Sequence, residues 1–161
     1  MIKVLGIDPG FKATGYGCIE TDGRRTQLLE TGTIEPKQKD LIENRLQKIK
    51  KLLGELIEEH RPQVLVLEKL YTHYKHPATA AKLGHVRGVI CLLSAECGIE
   101  LAEYSVKRIR KALTGNGNAS KAQIRRVVAG LLKIDEAKLG LDASDALALA
   151  LGYVRMRGQK L

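Results

Sequence analysis

Between Asp40 and Glu68 the chain changes its hydrophobic period once, and that change restricts its fold more than any other feature. Leu41, Ile42, Leu46, Ile49, Leu52, Leu53, Leu56 and Ile57 recur at spacings of three and four. That spacing stripes one face of an α-helix and predicts a helix from Asp40 to His60. Pro62 closes the helical region, and the next segment, VLVLE (Val64 to Glu68), is apolar almost without a break. A strand exposed on one face would alternate polar and apolar residues, so a continuous run belongs to a strand covered on both faces. A helix feeding such a strand predicts a βαβ unit and the α/β class.

The rest of the sequence extends this pattern. IKVLGID (Ile2 to Asp8) is β-branched-rich and stops at Pro9-Gly10, which predicts a strand running into a turn. TGYGCIE (Thr14 to Glu20) and a third run around Leu28 to Ile34 follow at hairpin-length intervals, an antiparallel start. Ala78 to Cys97 is rich in Ala and Leu and ends at Gly98, so it reads as a helix, and Ile99 to Tyr104 as a fifth strand. Ser105 and Ser120 are placed to cap two further helices, with a Gly- and Asn-rich loop, Thr114 to Ala119, between them. A last helix is expected from about Asp142 to Met156.

The 161 residues fit one domain, taken as residues 1–156, with a short basic tail at 157–161. Hydrophobic residues at 44% and charged residues at 28% exclude a disordered, collagen-like or coiled-coil chain. No apolar run reaches the length of a membrane span, and the chain opens on a strand-like segment rather than a secretion signal. Cys18, Cys91 and Cys97 are odd in number and have no C-x-x-C pair, so they read as small core residues in a reducing cytoplasm. Lys and Arg total 27 against 18 Asp and Glu, a net charge of +9, which points to a polyanionic partner such as nucleic acid.

Within this basic chain four carboxylates stand out. Asp8 and Glu68 each end a buried strand, where α/β folds place their sites. Either alone has an ordinary explanation, since Asp-Pro-Gly is a common turn and strand-ending acids are often merely solvated. Asp142 and Asp145 lie three residues apart at a helix start, so both project from one face. Acids there also complement the helix dipole, and Asp142 could serve as an N-cap. The run that follows, Ala146 to Leu151, is small and apolar and should pack tightly on the sheet, bringing the acidic turn to the strand ends. Gathered carboxylates repel one another unless a cation neutralises them, and an all-oxygen set suits Mg²⁺ or Mn²⁺. Two such ions can drive phosphodiester hydrolysis.

GIDPG followed by TGYG, the E-x-x-aromatic from Glu68 to Tyr71, KLG-x-x-RG from Lys82 to Gly88, Glu103-Tyr104 and the closing DASDALALA occur in order from about Ile2 to Ala150. Together they resemble the RuvC family of Holliday junction resolvases. The resemblance implies an RNase H-like fold, a five-stranded mixed sheet flanked by helices. It also implies metal and catalytic roles for Asp8, Glu68, Asp142 and Asp145, with Mg²⁺ or Mn²⁺ as cofactor, two ions to a site. It further implies a homodimer that binds four-way junction DNA, nicks two strands symmetrically and is compatible with a RuvAB-type branch-migration complex. Tyr71 stands where relatives usually carry Phe and would stack at the junction, while Arg110, in a position where Lys is more usual, and Lys121 would contact DNA. The segment Thr72 to Pro77 is slightly longer than the common family form and lacks its usual Asn. Tyr153 lies near a position where some relatives have His, so no histidine is assigned to the site. His60, His73, His76 and His85 are expected on the surface or in loops.

An actin-like or sugar-kinase ATPase also opens with a GID-x-G turn, but such enzymes need two copies of the fold and this length supplies one. A non-catalytic DNA-binding relative, or an RNase H-like nuclease acting on another nucleic acid, is the remaining alternative. Filling of all four acidic positions argues against the first, and the ordered motifs against the second.

Overall fold

A computed structural model describes residues 1–70 and 77–158. In chain order the elements are β1 (Ile2–Asp8), β2 (Thr14–Thr21), β3 (Thr26–Ile34), α1 (Ile42–His60), β4 (Val64–Glu68), α2 (Pro77–Glu96), β5 (Glu100–Tyr104), α3 (Val106–Thr114), α4 (Lys121–Leu132), a short 3-10 turn (Glu136–Lys138) and α5 (Leu141–Met156). The strands form one five-stranded sheet in the order β3-β2-β1-β4-β5. β1, β2 and β3 pair antiparallel, whereas β4 runs parallel to both β1 and β5. The mixed five-stranded sheet and its helical layers are as the sequence implied.

Alternating residues send the central strands to two cores. Val4, Ile19, Val64 and Val66 face α3, α4 and α5, while Leu5, Ile7, Cys18, Leu65 and Leu67 face α1 and α2. β4 is sealed on both sides, with Val64 to Leu67 at most 2% exposed, which is why its sequence does not alternate.

α5 lies unusually close to the sheet because glycines leave room for it. A Cβ on Gly6 would overlap the Ala146 backbone, one on Gly15 the Asp142 backbone, and one on Gly17 the Leu147 side chain. Gly6 and Gly17 are paired across β1 and β2, and Gly15 is paired with Asp8. The first turn of α5 is thereby held against the strand end that carries Asp8.

Ser105 and Ser120 cap α3 and α4 as expected, Ser120 in a full capping box with Gln123. α5 begins one residue earlier than expected, with Gly140 as N-cap, so Asp142 lies inside the first turn and is free of a capping role. Cys18 is buried as expected, but Cys91 and Cys97 are exposed. Apolar residues surround α2, so composition did not distinguish its inward face, with Val86, Ile90 and Leu93, from the outward face bearing Cys91 and Leu92. No helix among the described residues is long and apolar enough to cross a membrane.

Candidate active site

Asp8 and Glu68 end neighbouring parallel strands, held in register by the Ile7–Leu67 pair. Asp142 enters from the first turn of α5 and Asp145 from the start of the second. Three elements far apart in sequence therefore deliver four carboxylates to one end of the sheet. Asp8, Glu68, Asp145, Arg110 and Lys121 line a single cavity of about 330 Å³, walled by Val106, Ile109, Ile124, Ala148 and Leu149.

The electrostatics are strained in one direction. Burial, together with the negative charges of Asp145, Glu68 and Asp142, pushes the Asp8 carboxyl up from 3.8 to about 7, against a smaller opposing pull from Lys121. Burial and Asp145 also raise Glu68, while Lys121, Arg110 and Arg87 act to lower it. Lys121 donates from Nζ to Asp145 Oδ2 at 2.6 Å, and that bond holds the ammonium more firmly protonated than a free lysine. The cavity thus combines a clustered negative floor with two cations at its side, Arg110 and Lys121.

The sequence-derived set is largely brought together here. Tyr71 lies outside the described residues, as do His73 and His76. His60, expected at the surface, is instead mostly covered, its side chain 14% exposed, with Nε2 2.7 Å from Glu30 Oε2. Tyr16 donates its hydroxyl to the other oxygen of Glu30 at 3.0 Å. Glu30, Glu59 and His60 have donor atoms within 4.8 Å of one another. They lie on the α1 side of the sheet, apart from the acidic cavity. Sequence reasoning passed over Arg87, which the motif KLG-x-x-RG contains. It is 8% exposed and donates to the Glu68 backbone carbonyl and to the Glu103 carboxylate. A charged residue flanked by Val86, Val89 and Ile90 in a helix rich in apolar residues was the available signal.

Comparison with known proteins gives a consistent result. The family model described as "Crossover junction endodeoxyribonuclease RuvC" matches residues 4–153. A protein of that name from Halorhodospira halophila is 43% identical over 162 residues, covering 100% of this chain and 95% of the relative. One from Rhodopirellula baltica is 40% identical over 148 residues, covering 92% and 83%. Among solved structures, Thermus thermophilus RuvC superimposes with a TM-score of 0.88 at 26% identity, covering 98% of each chain. The same protein in complex with a Holliday junction substrate gives 0.88 at 24% identity, covering 98% of this chain and 96% of that one, a likeness of fold.

Proposed function

Because the chain belongs to the RuvC family of crossover junction endodeoxyribonucleases, we propose that it resolves four-way DNA junctions by paired, symmetric, metal-dependent nicks, with Asp8, Glu68, Asp142 and Asp145 as its catalytic and metal-holding residues. The supporting observation is the convergence of Asp8, Glu68 and Asp145 from β1, β4 and α5 onto one cavity, with Asp142 near enough to act on Asp8, in a chain of net charge +9. A basic surface gathers the polyanion, and an acidic floor is where positive charge is most stabilised.

The donor set fits the cofactor. All four groups offer hard oxygens, which suit Mg²⁺ or Mn²⁺, and the burial and repulsion that lift Asp8 are both offset by added positive charge. Two such ions, when bound, would activate a water and stabilise the leaving oxygen of the phosphodiester. The chain's own residues supply position. Asp8 and Glu68 are fixed by the sheet, and Asp142 and Asp145 by a helix that cannot shift without striking Gly6 and Gly15. Arg110 and Lys121 offer cationic donors to a phosphate entering the cavity. Tyr71 offers a π-face for an unstacked base.

Two opposed nicks require two sites related by a two-fold axis, so the working unit is a homodimer with an isologous interface. α2 is its best contributor. Ala78, Ala81, Gly84, Gly88, Cys91, Leu92 and Ala95 recur at helical spacing and are exposed. Residues 1–156 serve as one nuclease domain, working in the cytoplasm with DNA and compatible with a RuvAB-type branch-migration motor. The test is a panel of four-way junction, duplex, RNA–DNA hybrid and single-stranded substrates with Mg²⁺. Paired nicks confined to the junction support the reading, and preferential cleavage of the hybrid would overturn it.

A further inference from the structure

We propose that Arg87 is a positioning residue for the acidic site, acting through the backbone of Glu68; this rests on the metal-dependent reading above. Leu65 and Leu67 face α2, and Val64 and Val66 face α5, so Glu68 continues the α5-facing set and sends its carboxylate into the cavity. Arg87 approaches from the other side of the sheet, on α2, and donates one guanidinium nitrogen to the Glu68 carbonyl. A second nitrogen meets the Glu103 carboxylate on β5, where Glu103 is paired with Leu67. One planar group therefore ties α2, the last residue of β4 and β5 together behind the acidic cavity.

Lys69 N donates to the Tyr104 carbonyl at 2.8 Å, so both polar groups of the Glu68–Lys69 peptide are held, its carbonyl by Arg87 and its N–H by β5. Arg45, the other arginine buried among the described residues, bonds only to carbonyls at Phe11, Lys37, Gln38 and Asp40, and touches no acidic-site residue. Burial of Arg87 alone is therefore not what links it to the site. The fork geometry matters, because lysine keeps the charge but is a single point donor and cannot hold the carbonyl and Glu103 at fixed angles together.

The experiment compares wild type, Arg87→Lys, Glu103→Gln and Asp8→Asn for folding by circular dichroism, junction affinity by gel shift, and nicking over a Mg²⁺ titration. Arg87→Lys should bind junctions with unchanged affinity, nick about 10- to 100-fold more slowly at limiting Mg²⁺, as loss of an outer partner of a metal ligand does, and recover part of the loss at saturating metal. Glu103→Gln, at a half-exposed side chain, should fold normally and raise the half-saturating Mg²⁺ concentration by a smaller factor in the same direction. A merely structural role would lower stability without moving the metal requirement. Folded Arg87→Lys or Glu103→Gln proteins that both nick with the wild-type Mg²⁺ dependence overturn the proposal. Nicking by Asp8→Asn would instead overturn the metal-dependent reading beneath it.

Discussion

The two faces of the sheet are packed by opposite means. On the α1 and α2 side, large aliphatic residues such as Ile49, Leu53, Leu65 and Ile90 are fully buried, and helices stand off the sheet at side-chain distance. On the α5 side Gly6, Gly15 and Gly17 remove the intervening side chains, so that Gly6 meets the backbone of Ala146 and Ala150, Gly15 the backbone of Asp142, and Gly17 the side chain of Leu147. Large side chains bury more apolar area and stabilise more. Backbone-to-backbone contact buries less per residue but leaves the helix little freedom to slide. The face with little slack is the one that carries Asp142 and Asp145. Stability and placement are thus divided between the faces, and each substitution below asks whether that division holds.

The largest stability effect belongs to the aliphatic face. Leu53→Ala should cost about 2–5 kcal/mol, as buried leucine truncations do, and leave the nicking rate of the folded protein unchanged. Denaturant melts and low-temperature nicking assays measure the two together; a large fall in rate would show that the faces are not separable. Gly15→Ala comes next, at about 1–3 kcal/mol, because its Cβ must displace the Asp142 backbone. Its nicking loss should exceed what the fraction unfolded accounts for. An equal loss in both readouts would reduce Gly15 to a packing residue.

A third prediction concerns pH without divalent metal. Asp8 titrates near 7 in the fold against 3.8 when unperturbed, so between those values the folded state holds the extra proton. The stability that this proton contributes is fully present below about 3.8 and is lost as pH rises through about 7. In chelator, the wild type should lose on the order of 1 kcal/mol from about pH 5 to about pH 8, once screening is allowed for, and Asp8→Asn should be flatter. Equal slopes would remove the raised titration of Asp8 that burial and its acidic neighbours account for. The smallest effect is Gly54→Ala in α1, where a Cβ meets nothing within 4 Å. It should stabilise by about 0.5–1 kcal/mol with no change in activity, and a destabilised variant would show hidden crowding on the aliphatic face.

The features legible in the sequence were those with local causes. β1 and β4 have the bounds their apolar runs implied, and α1 follows its three-and-four spacing to His60. The carboxylates were legible because strand ends and a small-residue helix announce where they go. Long-range partners were not. Nothing near Lys121 marks its bond to Asp145, 24 residues away, nor does anything near His60 mark its pairing with Glu30, 30 residues away. Arg87 sat in a helix whose apolar residues run all round, so its inward direction could not be read from the period.

The central claim is that the four carboxylates cleave by holding divalent ions. Asp8→Asn tests it most directly, since the amide keeps the shape at a fixed strand end but removes the charge. Junction binding and nicking should be measured side by side over Mg²⁺ and Mn²⁺ titrations. The account predicts binding at wild-type strength or tighter, and nicking reduced at least about 100-fold, the scale of losing one group that stabilises a reacting charge. A folded Asp8→Asn protein that nicks at the wild-type rate in limiting Mg²⁺ would contradict it.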